Sequence, residues 1–263
     1  MDITHHSVTE HVVIRHQTPA QTVQWLQRAL RDLRRAPADA LFYGILFVGM
    51  GYALAIYFEA APSVILTLST LFLLVGPFLA IGLYDLARQL EGQPAKAHVS
   101  LRQSLVAWHE NLQGFTLYAA LLAVVAFMWF RVSLLMFALF YDYSMVPTLN
   151  KLFVDAFLPQ NRVFLFAYFA TGFFFALVVF AASVVAVPMM LDKEIDTVSA
   201  MIASFQVVQQ NLLTMTVWAA MIVLLTAVGL ASFFIGLLVT MPLIGMATWH
   251  AYRDLITYEQ DRT

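Results

Sequence analysis

About 40 consecutive residues, Leu212–Tyr252, contain no Lys, Arg, Asp or Glu. At 1.5 Å of rise per helical residue, a run of that length is roughly twice the thickness of a bilayer's hydrocarbon core. It predicts two membrane-crossing helices with a turn near Gly229, the second ending at Trp249-His250-Ala251-Tyr252-Arg253. Four more apolar runs have the same character: Leu41–Phe58, Ser63–Tyr84, Gly114–Phe140 and Val163–Met190. Glu59-Ala60-Ala61-Pro62 reads as the tight turn between the first two. The chain is 61% hydrophobic and 11% charged, where a soluble domain has roughly 45–50% and about 25%. The predicted fold class is an all-α membrane protein with six transmembrane helices and amphipathic interfacial helices.

The polar segments divide the chain. Residues 1–37 form an arm and a basic amphipathic helix, 38–253 the six-helix transmembrane domain, and 254–263 a tail. The arm holds His5, His6, His11 and His16 and reads as extended or disordered; it has no short apolar core of the kind a signal peptide carries. Thr18, Pro19 and Gln21 suit a helix start with a capping box. Val23, Leu26, Leu30 and Leu33 then recur at helical spacing, with Arg28, Arg31, Arg34 and Arg35 between and beyond them, before Pro37. A helix of this kind lies flat in a membrane interface. After a break at Glu91-Gly92-Gln93-Pro94, Ser100 and Gln103 form a second capping box. In the 141–162 loop, Leu149, Leu152, Phe153, Ala156 and Phe157 share one helical face. Asp192 is positioned to cap a helix that carries Ile195, Val198, Met201, Phe205 and Val208 on one side.

Charge sets the orientation. Of the 14 basic residues, only Arg131, Lys151 and Arg162 fall on one face of a six-span arrangement. By the positive-inside rule the other face, with both termini, is cytoplasmic in a bacterial inner membrane.

Two segments match at an offset of 100. Ser104-Leu-Val-Ala-Trp-His-Glu-Asn111-Leu parallels Ser204-Phe-Gln-Val-Val-Gln-Gln-Asn211-Leu, and Thr116 and Ala119-Ala120 parallel Thr216 and Ala219-Ala220. Pro77, Pro188 and Pro242 each sit near the cytoplasmic end of a span, and Arg88 and Arg253 follow Pro77 and Pro242 at equal spacing. The units run in the same direction, so a duplication would be parallel rather than inverted.

Candidate chemistry is sparse. No histidine lies deep in a span, where a transmembrane haem needs its ligands. His109 and His250, at the ends of spans three and six, suit bonds to headgroups or water, or else a metal or haem pair. Arg131 is the one charge inside a span. It can snorkel to the far interface or pair with Asp142 or Asp155. Asn111 and Asn211 suit caps or helix-to-helix bonds, or the lining of a small cavity. The three prolines either end and kink helices near an interface or break helices at a binding site. Small-residue pairs such as Gly172 and Ala176, or Ser232 and Gly236, permit close helix packing. There is no mid-span carboxylate of the kind proton-coupled carriers use, no phosphate-binding loop, no zinc-protease motif and no cysteine. The net charge of -2 gives no nucleic-acid surface.

Trp25-Leu26, Asp32-Leu33-Arg34-Arg35-Ala36-Pro37, Tyr43-Gly44, Gly76-Pro77 and Gly82-Leu83-Tyr84-Asp85-Leu86-Ala87-Arg88 carry a resemblance, as do Pro188, Asp196, Ser204, Asn211, Pro242 and Tyr252-Arg253. Over nearly its whole length the chain is similar to a bacterial integral-membrane family of unknown function, often labelled as related to cytochrome c oxidase subunit I. The resemblance implies about six helices and no established activity. The chain lacks the intramembrane histidine set of a haem–copper catalytic subunit. The expected function is a non-catalytic accessory or assembly subunit of a larger membrane complex, with a respiratory complex as one candidate. It would have the lipid bilayer and other membrane subunits as partners, and no nucleic acid and no cofactor. A transporter or lipid-handling protein is the alternative; an enzyme or haem carrier is the third reading.

Overall fold

The computed structural model describes residues 10–60, 79–93, 99–140, 162–193 and 195–260. In chain order the elements are β1 (Glu10–Ile14), α1 (Gln21–Arg35), α2 (Pro37–Ala60) and α3, whose described part is 79–90. Next come α4 (Leu101–Val106) and a 3-10 turn, Ala107–Asn111, that feeds α5 (Leu112–Phe140). The chain continues through α6 (Arg162–Ser183), α7 (Ala186–Asp192), α8 (Thr197–Gln210), α9 (Leu212–Ala231), α10 (Leu237–Leu255) and β2 (Ile256–Gln260).

Among the described residues, three helical stretches are long and apolar enough to cross a membrane: Leu101–Phe140, Arg162–Asp192 and Leu212–Ala231. A fourth arises if α1 and the first part of α2, bent by 107° at their junction, are taken together. Most of the second expected span, Pro77 included, lies outside the described residues, as does the 141–161 loop with its expected interfacial helix. The helix containing Leu41–Phe58 runs on through Glu59 and Ala60, which therefore belong to α2 and not to a turn. α1 ends just before Pro37 as expected, and Pro37 is itself the first residue of α2, where a missing N–H costs nothing.

Other local rules resolve differently from expectation. Thr18 does not cap α1 through its side chain; its carbonyl accepts the Gln21 N–H at 3.0 Å. Asp192 does not cap α8. The cap is Asp196, whose carboxylate accepts the Ser199 N–H at 3.0 Å. Ser199, through its side chain and its N–H, holds the Asp196 carboxyl below its ordinary range. Ser100 caps α4 by accepting the Gln103 N–H at 3.3 Å, but its own N–H goes to Gln89 Oε1 at 2.7 Å rather than back to Gln103.

The turn after α9 falls at Ser232–Gly236, not at Gly229. Gly229 lies inside α9, where a Cβ would come within 2.5 Å of Leu237 and 2.7 Å of Thr240. Phe233 and Phe234 carry φ of 54° and 64° in the turn, a left-handed conformation unfavourable for bulky residues. Ser232 holds it, its Oγ accepting the Gly236 N–H at 2.9 Å, and the Phe234 ring packs on Tyr52.

Of the three span-end prolines, Pro188 and Pro242 are described, and both act on backbone. Pro188 has no N–H for the Val184 carbonyl, and its ring crowds that carbonyl. The helix breaks there, at 184–185, between α6 and α7, and Ser204 Oγ accepts the Val185 N–H at 3.2 Å. Pro242, inside α10, likewise leaves the Leu238 carbonyl without its helical donor. Gly44 of α2 lies against that carbonyl, and a Cβ there would sit 2.2 Å from the Leu238 oxygen.

The core collects at one end of the bundle. Trp25, Trp218, Trp249, Tyr43, Tyr252, Phe115 and Met189 are among its largest fully buried side chains. Antiparallel pairing of β1 with β2, from Glu10↔Gln260 to Ile14↔Ile256, joins the segment before α1 to the segment after α10 there.

Candidate functional site

The shorter helices α1 and α8 dock mainly through small residues, with Trp25 as the one bulky anchor of α1, and leave several large apolar residues outside. In α1 the buried positions are Thr22, Trp25, Ala29 and Asp32, which pack chiefly on α10. The expected apolar stripe is not the packing face: Val23 is 49% and Leu30 37% exposed, while Leu26 and Leu33 are half-buried beside the core. In α8, Ala200, Ala203, Ser204 and Val207 are buried while Val198, Ile202 and Phe205 are exposed. Small residues let helix backbones approach closely, and bulky apolar ones need no protein cover where lipid supplies it.

These dockings bring ionisable groups together in a polar belt at the core end of the bundle. Between α1 and α10, Asp254 accepts from Trp25 Nε1 at 2.8 Å and from Arg28 through a two-pronged ion pair. Asp32 Oδ2 meets His250 Nε2 at 2.6 Å. Arg88 of α3 binds the fully buried Asp85 at 2.6 Å, Glu110 at 2.8 Å and the Leu191 carbonyl at 2.9 Å. Arg253 reaches Glu91 at 3.0 Å and Asp192 at 3.3 Å, and the Tyr252 hydroxyl donates to Asp192 at 2.6 Å.

Three polar side chains pin the connecting segments. Asn111 donates to the Met190 and Ile195 carbonyls at 3.2 and 3.1 Å while its Oδ1 caps the Gly114 N–H. Asn211 accepts from the Gln17 N–H at 2.8 Å and donates to the Arg15 carbonyl at 3.3 Å. Arg35, at the junction of α1 and α2, donates to the Leu90 and Gln93 carbonyls at 3.2 and 2.7 Å. Each pin stands where an interfacial helix meets a long helix, and each holds the segment that precedes a different interfacial helix. Asn211→Ala is therefore expected to lose about 1–3 kcal/mol and to speed amide exchange across β1. Asn111→Ala should instead loosen residues 190–195 and leave β1 protected. Exchange mass spectrometry of both variants reads this directly, and identical exchange patterns would rule out separate pins.

The other expected site residues separate. His250 is not an interfacial group facing water; it is buried against Asp32. The His109 ring lies against Trp108. Among the described residues no group of three or more His, Asp or Glu could hold a metal ion. Arg131 is exposed, its guanidinium 5.2 Å from the centre of the Phe127 ring, while Asp142 and Asp155 lie outside the described residues. Pro188 and Pro242 are buried at a helix break and inside α10. Of the four α1 arginines, Arg28 and Arg35 are tied into the belt, while Arg31 and Arg34 are exposed. Asp32, Asp85, Asp192 and Asp254 are belt members that composition and hydropathy do not mark. Only the Asp85–Arg88 and Asp32–Arg35 pairs had a visible signal, their three-residue helical spacing.

A helical bundle with apolar spans, lipid-suited outer faces and an internally paired polar belt defines an integral membrane protein. Residues 64–192, just under half of the chain, match a family described as "Predicted integral membrane protein (DUF2189)", a membrane family of unknown function to which this segment is similar. Neither a curated protein nor a solved structure matches the chain.

Proposed function

We propose that this chain is a non-catalytic accessory or assembly subunit of a larger complex in the bacterial cytoplasmic membrane, with both termini on the cytoplasmic side. The observation that carries the reading is how the belt's side chains are used. Asp32, Asp85, Asp192 and Asp254 all bond to groups of the same chain. Such a belt shapes and rigidifies one end of the bundle. The opposite character of α6, with Phe166, Phe169, Phe173 and Phe174 exposed along it, offers a broad apolar face for lipid or a neighbouring membrane helix. The transporter reading asks Asn111 and Asn211 to line a cavity, but both carboxamides are bonded to backbone. The oxidase-related label and a place beside a respiratory complex belong to the same proposal, as do six spans and a parallel repeat built on the Asn111 and Asn211 units.

The test is photo-cross-linking in native membranes with the probe at Phe173, followed by isolation under mild detergent. A subunit gives one membrane-protein adduct in near-stoichiometric yield, whereas a probe at the buried Ala203 gives none. A chain that migrates alone and yields only lipid adducts at Phe173 is not a subunit.

A further inference from the structure

The pairing of the α1 arginines leaves an asymmetry along that helix. Arg28 is held by Asp254, and Arg35 by the Leu90 and Gln93 carbonyls. Arg31 and Arg34 are exposed and bond to no described residue. The one carboxylate of α1, Asp32, is buried on the other side against His250.

At about 100° per residue, the helix has three arcs. Thr22, Trp25, Ala29 and Asp32 form the arc buried on the bundle. Leu33, Leu26, Leu30 and Val23 follow, roughly 60–140° round from it. Arg34 comes next, at the edge of that apolar arc, and Gln27, Arg31 and Gln24 complete the polar side. The 107° bend to α2 sets α1 across the direction of the long helix, so α1 runs along a membrane surface if α2 enters the membrane. The exposed Val23 and Leu30 then face the acyl boundary, with Arg34 at headgroup depth and Arg31 beside it on the watery side. In α8 the exposed Val198, Ile202 and Phe205 form a comparable apolar arc, but the helix contains no Lys or Arg.

We propose that the outer edge of α1, formed by Val23, Leu30, Arg31 and Arg34, is a binding surface for the phosphate headgroups of anionic phospholipid in the leaflet it lies against. Guanidinium groups bind phosphate oxygens in a two-pronged geometry, and the apolar arc keeps the acyl chains beside them. The surface selects for lipid charge at this edge, and α8 inserts without such selection.

The full chain, purified in a zwitterionic detergent, is titrated with phosphatidylglycerol or phosphatidylcholine and read by native mass spectrometry. The wild type is expected to retain phosphatidylglycerol preferentially, and R31Q/R34Q to lose retention on the order of 30-fold, since each basic residue near an anionic leaflet contributes roughly fivefold. R31K/R34K should recover most of it, and raised salt should weaken it. Both arginines are exposed, so the melting temperature of R31Q/R34Q should match the wild type. Equal retention of the two lipids by the wild type, or unchanged phosphatidylglycerol retention in R31Q/R34Q, overturns the proposal. So does displacement of the lipid by millimolar inorganic phosphate, which would mark a general anion site, or capture of an acidic protein in place of lipid by a cross-linker at Arg34. None of these outcomes depends on whether α6 docks a partner subunit.

Discussion

Arg88→Met is expected to be the most damaging single substitution in the polar belt, lowering stability by about 3 kcal/mol. Asp85 has no solvent exposure and meets Arg88 at 2.6 Å. Among the described residues, removing the guanidinium leaves that carboxylate with Gln89 Nε2 as its remaining side-chain donor. It also frees the Leu191 carbonyl and Glu110, so α3, α7 and the 3-10 turn lose their common tie. A loss of that size in a chain of this length lowers the melting temperature by roughly 10 °C. The partner change separates a stranded charge from simple loss of packing. Asp85→Asn combined with Arg88→Met removes both charges and should recover at least half the loss, because most of the penalty is the uncompensated ion. Thermal unfolding in one detergent reads both variants. If Arg88→Met melted within about 2 °C of wild type, the belt would be no more than a decoration.

Gly44→Ala should cost a comparable amount, about 3 kcal/mol, through a different mechanism. The added methyl would lie 2.2 Å from the Leu238 oxygen and 2.8 Å from its carbonyl carbon. Those are backbone atoms of α10 and cannot rotate aside, so the two helices must separate. The contact depends on Pro242, which leaves that carbonyl without a helical donor; the glycine Cα–H beside it is a weak substitute. Gly49→Ala is the control on the same helix: a Cβ there meets nothing within 4 Å. It should be neutral or stabilise by roughly 0.5–1 kcal/mol through helix propensity. Equal melting of the two alanine variants would remove the close helix crossing from the account.

Much of the candidate site was visible as residue types but not as pairs. Asn111 and Asn211 stood out because they recur at one offset, and both are junction pins. Asp85 and Arg88 share a helix face at three-residue spacing. Asp254 and Arg28, however, lie 226 positions apart, and Asp32 and His250 lie 218 apart; no local pattern can bring them together. Position alone, at the close of an apolar span, predicts a water-facing His250. It is buried because α1 folds back across the end of α10.

The packing faces of α1 and α8 are hidden from the sequence for a related reason. In water the bulky apolar stripe of a helix marks its protein contact. Beside lipid that stripe has a second solvent, so Val23, Leu30, Val198 and Phe205 stay outside, while Ala29, Ala200 and Ala203 dock together with the single bulky anchor Trp25. Hydropathy measures only transfer out of water and cannot distinguish the two destinations.

By itself the sequence determined that the chain is helical and enters a membrane, since apolar runs of span length leave backbone groups no partners but their own helix. It also determined the break before Pro188, because a missing N–H acts locally; Pro242 leaves α10 unbroken. Only the tertiary structure decided which helices bury which face, which carboxylate meets which base and where the turn after α9 falls. Those outcomes depend on contacts between segments far apart in the chain, and close approach between them is set by the shapes of both surfaces.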